Sequence, residues 1–528
     1  MQTFELILGL LAVVIALVWL SDRFRVPYPM VLMAAGLLLA PLPWTPNLEL
    51  DPEIVLVVFL PPILFQAAQL TSLRDFRENF YAISQMAIAL VIVTAVVVAV
   101  VAHMAIPGIG WAAAFTLGAI VSPPDAVAAT AIFQRLGAPR RIVAILEGES
   151  LINDASAIVL YTFAVASVVS GHFSMGDALL EFVMVVVVGV LVGALVGRVM
   201  GRVLMILNDP SLVTLATLII PAATYVLAEQ LGGSGVLAVV AAGLVHGYTQ
   251  SFTMTPSARL QNNTVWTLMT VAVNGFVFLL IGFELGALRE TLSRQRLWDL
   301  AWHTVAIFLT VVVVRFIWVY LGRLVRSRSR QDRTRPRSEL DERETFVIAW
   351  SGLRGVVSLA TALALPLLTD SGAPFDHRDE IILIAAGVIV LSMYGLGLPL
   401  PWIVRRLNFA EESGVDAEVR LARKVTRKAT FASMKQQAAE DPAVGAVLGP
   451  MIAEMEERKG VRAAMVERDD PNVDAVMQTV ASVMRGGSDA AREALLQLRR
   501  DGEIGDEAMR EVERQLDLQA LQFPARDT

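Results

Sequence analysis

The sequence predicts an all-α polytopic membrane protein that crosses the bilayer about 13 times and ends in a soluble helical tail. The chain of 528 residues is 55% hydrophobic and only 18% charged. Its mean hydropathy of +0.60 lies far above that of ordinary soluble proteins. Residues 1–404 are apolar blocks with short polar joints, whereas residues 405–528 are polar and rich in charge. We therefore predict a transmembrane domain over 1–404 and a separate helical tail over 405–528.

Each apolar block is interpreted as a helix, because open backbone cannot face lipid and a helix needs about 20 apolar residues to cross a bilayer. The first block has no basic region before it and no clear cleavage site, so we expect it to be retained. The candidate spans, whose count is predicted to within one, are 4–20, 27–42, 53–69, 82–105, 111–134, 142–169, 178–206, 211–230, 234–248, 264–287, 298–323, 344–368 and 380–404.

Basic residues lie in alternate loops, and this pattern predicts orientation. The intervening loops are neutral or acidic, so we expect the basic loops and the tail in the cytoplasm and the N-terminus outside. One loop does not fit, since it places Arg289, Arg294 and Arg296 on the predicted outer side. The basic loops contain Arg23 and Arg25; Arg74 and Arg77; Arg135, Arg140 and Arg141; Arg198 and Arg202; and the stretch RLVRSRSRQDRTRPR.

Two spans are interrupted in the middle, by SPPDAVAA in the fifth and by SGLRGVVS in the twelfth. If spans 1–6 and 8–13 are repeats joined by span 7, the two halves run in opposite directions. Broken helices at corresponding places in inverted repeats are the best sequence indication of a transporter site.

Ionisable residues within membrane spans are few, and such residues are functional candidates because burying a charge in a bilayer is costly. The sequence EGESLINDA places three of them at the start of span 6. The full set is Asp125, Glu147, Glu149, Asp154, Glu284, Arg315 and Arg354.

On a helix, Glu147, Ser150 and Asp154 share one face, and Glu149 points elsewhere. We expect Glu149 to pair with Arg354. The alternative is that all these acids pair with arginines and only hold helices together. Acids outnumber the buried arginines, however, so at least one acid is expected to stay unpaired and to hold a proton or a hard cation.

Span 5 adds a second acid beside a helix break. Pro123 and Pro124 remove two backbone donors, so carbonyls beside Asp125 become candidate cation ligands. Oxygen ligands suit hard cations. Cysteine is absent and the five histidines are scattered, which argues against a transition-metal site. His103 and His246 are interpreted as interfacial residues.

Four motifs together resemble the cation:proton antiporter-1 family, the sodium/proton exchangers of the NhaP type. The motifs are FLPPILFQAA (59–68), SPPDAVAA, GESLINDA (148–155) and GLRG (352–355). They occur in the family's order on the corresponding spans. The resemblance covers spans 3 to 13 and identifies the chain as a bacterial member in the inner membrane.

The resemblance implies a homodimeric fold of thirteen helices in which broken helices 5 and 12 cross. It implies that Asp154 binds cation and proton in alternation, with Asp125 and Ser150 as further ligands of the transported Na+. Asn153 would support the site and Glu149 would pair with Arg354, while Gln66, Glu147 and Glu284 are accessory candidates. Members with Asn-Asp at positions 153–154 resemble electroneutral exchangers, so one proton per monovalent cation is the favoured ratio.

Two positions depart from the family pattern. Gln66 stands where many members have an acid, and Pro124 stands where many have Thr. Both departures leave ion preference open.

The predicted function is therefore Na+/H+ antiport, with K+/H+ or Li+/H+ antiport on the same fold as the alternative. A cation channel is the alternative from another class, although no repeated filter loop or Arg-rich voltage sensor occurs in the sequence. No enzyme motif and no cofactor-binding or nucleic-acid-binding motif was found. The tail segment DEAMREVERQLDLQALQ is predicted to be an amphipathic helix, interpreted as solvated or dimerising, with a regulatory domain as the alternative.

Overall fold

A computed structural model shows a helical protein. It describes residues 2–24, 27–40, 59–136, 138–170, 175–207, 209–291, 294–328, 341–409, 413–440, 442, 445, 449 and 473–520. Within these ranges there is no β-strand, and the one β contact is an isolated bridge between Leu368 and Pro374. The predicted all-α fold class is confirmed.

The α-helices of these ranges are numbered in chain order. The first eleven are α1 Gln2–Phe24, α2 Tyr28–Leu39, α3 Leu60–Leu70, α4 Leu73–Glu78, α5 Phe80–Ser84, α6 Leu90–Ala105, α7 Trp111–Val121, α8 Val127–Leu136, α9 Arg140–Ser170, α10 Met175–Ile206 and α11 Pro210–Gln230. The others are α12 Gly235–Thr253, α13 Pro256–Thr291, α14 Arg294–Arg328, α15 Glu342–Trp350, α16 Val356–Leu363, α17 Arg378–Ser392, α18 Leu400–Leu407, α19 Ser413–Glu440, α20 Val473–Arg500 and α21 Asp506–Ala520. A π-helical turn, Gln85–Ala89, joins α5 to α6, and another, Met393–Gly397, follows α17.

Eight helical segments of the described chain are long and apolar enough to cross a membrane, which makes the protein a multi-pass membrane protein. Shorter apolar helices are Gly9–Ser21, Tyr28–Leu39 and Trp111–Val121. The count of thirteen spans stays a prediction, because residues 41–58 lie outside the described ranges and the interrupted spans consist of short helices. The eight are Phe80–Ala105, Arg141–Ser170, Val183–Ile206, Pro210–Gln230, Gly235–Thr253, Pro256–Leu280, Arg296–Leu324 and Arg378–Leu407.

Helix α13 begins at Pro256, well before the predicted start of the tenth span at residue 264. Its first turns carry Arg259 and Asn262, which are polar but buried. The Oδ1 atom of Asn262 accepts a 2.6 Å hydrogen bond from Thr217 of α11. The Arg259 guanidinium and the Asn262 oxygen both have hydrogen-bond partners, so the helix extends past the apolar window that located the span.

The two predicted interruptions are confirmed. Helix α7 ends at Val121 and α8 begins at Val127, leaving SPPDA between them. Helix α15 ends at Trp350 and α16 begins at Val356, leaving SGLRG between them. We call these segments the first break (122–126) and the second break (351–355). Consecutive prolines explain the first break, since Pro has no N–H and cannot continue the hydrogen-bond ladder.

Helix α9 runs past both breaks and contacts all four half-helices, α7, α8, α15 and α16. Leu353 of the second break is buried in one apolar cluster with Phe133 of α8 and Ile145 of α9. This packing holds the two breaks against the helix that carries the predicted ion-binding residues.

The tail helices have an apolar core of their own. The sequence predicts that helix α21 is solvated or dimerising, but its apolar face, including Val512 and Leu516, is buried against α19 and α20. The polar side of α21 also contacts α13 of the transmembrane part. The core consists of Val419, Ala422, Ala491, Leu495, Leu498, Ile504, Ala508, Met509, Val512 and Leu516.

Candidate functional site

The two breaks meet through their backbones. The N–H of Asp125 in the first break donates a 2.7 Å hydrogen bond to the carbonyl of Leu353 in the second. The N–H of Arg354 donates a 3.0 Å bond to the hydroxyl of Ser392 at the end of α17. Backbone groups freed by the breaks are thus satisfied by other parts of the protein, as burial in a membrane requires.

The side chain of Arg354 serves the end of the other broken helix. Its Nε donates to the carbonyl of Val121 at 3.0 Å, and an Nη donates to that of Ser122 at 3.3 Å. The remaining Nη donates to the carbonyl of Gly352. A positive charge at the C-terminus of α7 stabilises the carbonyls left there without helical partners.

Asp125 lies at the start of α16, in the other broken helix. It lies against Gly355, the residue before the first turn of α16, and a Cβ placed on Gly355 would overlap the Asp125 carboxylate. A negative charge is favourable at a helix N-terminus. Each break therefore places a charge at the interrupted end of the other broken helix. Gly355 is the residue that allows Asp125 to approach α16 closely.

Ser150 and Asn153 connect α9 to the first break. The Ser150 hydroxyl accepts a 3.3 Å hydrogen bond from the N–H of Ala126. The Nδ2 atom of Asn153 donates a 2.7 Å bond to the carbonyl of Pro124. The side chain of Asn153 is fully buried, and its Oδ1 atom has no hydrogen-bond partner among the described residues.

Asp154 is the acidic residue of this site whose carboxylate has no partner in the described structure. It is 8% exposed, and the described structure gives its carboxylate no hydrogen bond and no ion pair. It interacts electrostatically with Asp125 across the site. Two carboxylates, the Ser150 hydroxyl and the Asn153 amide oxygen thus gather around the meeting point of the breaks. Such oxygen donors suit a proton or a hard cation.

The predicted ion pair between Glu149 and Arg354 is wrong. The Glu149 carboxylate is held instead by Arg315 of α14, through Nη1–Oε1 at 2.5 Å and Nη2–Oε2 at 2.8 Å. Arg315 and Glu149 are 2% and 1% exposed, and Arg315 also donates to the carbonyl of Ile348 at 3.1 and 3.2 Å. Arg354 is already engaged by the carbonyls around the breaks, whereas Arg315 presents its guanidinium fork to Glu149.

The sequence identifies Arg315 as an ionisable residue within a membrane span but does not indicate its partner. Its position in the apolar run VVVVRFIW was the available signal, because a permanent charge in such a run requires a buried acid. A Cβ on Gly352 would come within 2.6 Å of Arg315 Cδ. Gly352 of the second break therefore leaves space for this arginine.

The accessory candidates have environments of different kinds. Gln66 is half-buried on α3, where its side chain accepts a hydrogen bond from Gln69. Glu147 is partly buried on α9 and interacts electrostatically with Arg510 of the tail. Glu284 lies on α13, but its side chain is outside the described residues.

The two histidines differ in environment. His103 stacks on Trp111 with ring centroids 4.1 Å apart, and its Nδ1 lies 2.9 Å from the Ile109 carbonyl. His246 is fully buried and stacks on Phe65, with ring centroids 5.5 Å apart. No group of three or more His, Cys, Asp or Glu side chains that could hold a metal ion occurs within the described ranges.

A multi-pass helical protein in which two interrupted helices meet beside buried carboxylates belongs, as a class, to the membrane transporters. The chain is a member of the sodium/hydrogen exchanger family, because the family model described as "Sodium/hydrogen exchanger, transmembrane" matches residues 9–406. The resemblance to the cation:proton antiporter-1 family is thereby confirmed.

Comparison with individual known proteins supports the same family. The chain is 33% identical over 427 residues to YjcE of Escherichia coli (strain K12), an uncharacterised Na+/H+ exchanger, with 78% of each chain covered. It is 30% identical over 453 residues to a sodium, potassium, lithium and rubidium/H+ antiporter of Bacillus pumilus (strain SAFR-032), covering 84% of this chain and 67% of that one. The sodium proton antiporter MjNhaP1 of Methanocaldococcus jannaschii shares the fold, with a TM-score of 0.58 at 16% identity over 77% of this chain and 99% of that one.

Proposed function

We propose that this chain is a secondary active antiporter that exchanges a monovalent cation for a proton, and that both ions compete for the carboxylate of Asp154. The observation that carries the proposal is the state of Asp154. It is nearly buried and has no hydrogen bond or ion pair within the described structure, while Glu149 nearby has a complete arginine partner. A carboxylate left in such a place requires a proton or a cation to neutralise it.

The proposed ligands of the transported cation are the carboxylates of Asp154 and Asp125 and the hydroxyl of Ser150. The Ser150 oxygen accepts one hydrogen bond from Ala126 N, and its second lone pair remains for a cation. Asn153 would position the first break through the Pro124 carbonyl. Glu149 and Arg315 would hold α9 against α14 without taking part in ion exchange.

Competition for one carboxylate makes the exchange electroneutral. Asp154 with a proton and Asp154 with a sodium ion have the same net charge, so the loaded transporter moves with equal electrical cost in both directions. The membrane potential contributes about 2.3 kcal/mol per charge per 100 mV, and it would have no effect on a one-for-one equilibrium.

Sodium is the proposed main cation, with K+ or Li+ as the alternatives. The name of the Bacillus pumilus relative includes potassium, lithium and rubidium besides sodium. Gln66 and Pro124 also replace residues that many family members use near the site. A neutral Gln66 supplies one acid fewer than the family pattern, which favours weaker ion binding.

The proposed setting is the bacterial inner membrane, with the protein as a homodimer in the lipid bilayer. The N-terminus would lie outside, and the tail from residue 405 onward would lie in the cytoplasm. These assignments follow from the alternation of basic loops and from the family pattern.

The experiment is ion exchange in proteoliposomes with an imposed pH gradient. Wild-type protein should move protons when sodium is added, and the movement should persist when the voltage is clamped, which excludes a channel. Asp154→Asn should abolish exchange, because an amide cannot alternate between a proton and a cation. Ser156→Ala is the matched control, since among the described residues the Ser156 hydroxyl bonds only to the Ile152 carbonyl of its own helix. Substantial exchange by Asp154→Asn would contradict the assignment.

A further inference from the structure

A row of charged side chains lies on the face of the protein opposite the tail. The span Arg378–Leu407 separates this face from the tail, which follows Leu407. Arg296 at the start of α14 donates a 3.1 Å hydrogen bond to Glu380 of α17. The sequence places Arg296 on this side against the alternation of basic loops, and Glu380 is the partner that stabilises it there.

His377 continues this row, because its ring lies between two carboxylates. Its Nδ1 lies 2.5 Å from Oε2 of Glu380, and its Nε2 lies 3.6 Å from Oδ1 of Asp376. The backbone of His377 is left-handed, with φ of 52°, which is costly for a residue other than glycine and persists only where the surroundings enforce it. The side chain is 21% exposed, so protons from the solvent reach the ring.

Asp376 connects this row to the first broken helix. Its Oδ2 accepts a 3.1 Å hydrogen bond from the N–H of Gly110, the residue before α7. In the same α6–α7 loop (106–110), a Cβ on Gly108 would lie 3.7 Å from Nε2 of His377. A negative charge is favourable beside the N-terminus of a helix. Asp376 therefore holds the start of α7 at this face.

The second broken helix reaches the same histidine through the α16–α17 loop (364–377). Within this loop, the N–H of Phe375 donates a 3.0 Å hydrogen bond to the carbonyl of Leu367. The Nε atom of Arg378 donates a 3.0 Å bond to the carbonyl of Leu365, two residues beyond α16. Leu365 and Phe375 are buried in one apolar cluster with Ile109 of the α6–α7 loop. The outer ends of both broken helices therefore meet beside this ring.

We propose that His377 is a proton-sensitive latch between the outer ends of the two broken helices, and that the latch is closed when the ring is protonated. An imidazolium donates from both nitrogens, so it bonds Glu380 and Asp376 together. A neutral ring has one N–H. With that N–H on Glu380, the Nε2 lone pair faces the Asp376 carboxylate and repels it, which weakens the hold of Asp376 on α7.

The other charged groups near the ring do not replace its proton. Among the described residues, the cationic partner of Asp376 is His377. Histidine gains or loses its charge between about pH 5 and about pH 8, so the latch opens as the outer pH rises. The charged and titratable groups on the surrounding elements are Arg296 and Asp299 of α14, Arg378, Asp379 and Glu380 of α17, Asp370 and Asp376 of the α16–α17 loop, and His103 of α6.

The latch bears on ion exchange through the breaks, so this inference rests on the proposed function and on the proposed orientation. The two breaks are joined by the bond from the Asp125 N–H to the Leu353 carbonyl. This bond requires α7 and α16 to keep their relative position. An open latch frees the outer ends of both helices and should slow exchange at saturating sodium.

Hydrogen–deuterium exchange of the detergent-solubilised full-length protein measures the Gly110 amide directly. After correction for the intrinsic rate, protection of residues 106–113 should fall by about 3- to 10-fold between about pH 6 and about pH 8, as expected for losing one hydrogen bond. His377→Asn, since asparagine accepts a left-handed backbone, should lack this protection at both pH values, and His377→Lys should keep it at both. His303→Gln, which removes another histidine from α14, should follow the wild type.

A second measurement follows exchange in right-side-out vesicles with the inner pH fixed and sodium saturating. The proteins are compared at the same outer pH, so that proton competition at Asp154 affects all of them equally. The wild type should exchange like His377→Lys at about pH 6 and like His377→Asn at about pH 8. His303→Gln should again follow the wild type.

Equal protection of residues 106–113 at both pH values, or the wild-type pH dependence in His377→Asn, overturns this inference alone. If His377→Lys does not fold, Asp376→Asn, which removes the acceptor charge, must likewise abolish the pH dependence of protection. Absence of sodium-triggered proton movement in the wild-type protein would instead overturn the proposed function, and the amide measurement would still decide whether His377 is a latch.

Discussion

Arg315 holds Glu149 in a buried two-point ion pair, with nitrogen–oxygen distances of 2.5 and 2.8 Å. This pair accounts for one acid of the EGESLINDA segment, and the carbonyls of the breaks account for Arg354. Asp154 is thereby left without an arginine. The distribution of two arginines thus separates a structural acid from an acid available for ion exchange.

The pair can be tested by a double-mutant cycle. Glu149→Gln leaves Arg315 as a buried unpaired charge, which should cost about 3–5 kcal/mol of stability. Adding Arg315→Gln should recover part of that loss in thermal unfolding of the detergent-solubilised protein. Glu149→Gln with Arg354→Gln should recover less, because Arg354 bonds to carbonyls of the breaks and interacts with Glu149 only through space. Additive losses in the Arg315 cycle, or a larger recovery in the Arg354 cycle, would contradict the pairing.

Gly355 provides a test of the contact between the breaks. A methyl group at this position would overlap the Asp125 carboxylate, so Gly355→Ala should move Asp125 and strongly reduce exchange. Gly395→Ala is the control, because its nearest neighbour would be a Phe308 ring carbon at 3.7 Å, an ordinary contact. Exchange and thermal unfolding are measured together. Wild-type exchange in Gly355→Ala would mean that Asp125 need not lie where the structure places it.

The helix breaks could be predicted from the sequence because they depend on local chemistry. Pro123 and Pro124 interrupt a helix wherever they occur, and Gly352 and Gly355 permit the irregular backbone of the second break. The ligand-bearing face of α9 could also be predicted, since helical spacing alone places Ser150 and Asp154 together.

The partner of Glu149 could not be predicted in the same way. Arg315 and Arg354 lie far along the chain from Glu149, and spacing does not tell which guanidinium faces it. The bonds from Arg259 to Asp517 likewise depend on how the tail folds back on α13. Contacts of this kind are set by tertiary packing, and periodicity within one helix carries no information about them.

The buried position of Glu513 predicts that the docking of helix α21 on the transmembrane part depends on pH. Burial raises the pKa of Glu513, and Asp517 acts in the same direction, while Arg259, Ser251 and Arg492 oppose the shift. The docked state therefore binds the Glu513 proton more tightly than a free glutamate, whose pKa is about 4.3. Docking is favoured at low pH and weakens as pH rises through the raised pKa.

The measurement uses the double variant Ser72→Cys, Asp506→Cys, in which a short reversible crosslinker joins the two thiols when the tail helix is docked. The crosslink yield is recorded between about pH 5 and about pH 8, with the reagent kept equally reactive. The yield should fall as pH rises, and Glu513→Gln should flatten the dependence. A yield that rises with pH, or the same slope in Glu513→Gln, would contradict the role of Glu513.

The stoichiometry predicts that exchange is independent of voltage. In reconstituted protein, the sodium gradient that just stops proton movement should follow only the two ion gradients. The reason is that Asp154 carries one positive ion in each direction. If Asp125 also released a proton on cation binding, two protons would move per cation. The sodium gradient that just stops proton movement would then shift with an imposed potential, and this shift would exclude the one-for-one scheme.

Proton release on sodium binding tests the competition at Asp154 most directly. Detergent-solubilised protein in weakly buffered solution is titrated with sodium chloride while pH is recorded, and choline chloride controls for ionic strength. The wild-type protein should release about one proton for each sodium ion bound, as two ions that compete for one carboxylate require. Asp154→Asn should release none, and Ser156→Ala should match the wild type. Sodium binding without proton release in the wild type, or equal release from Asp154→Asn, would contradict the competition of both ions for Asp154.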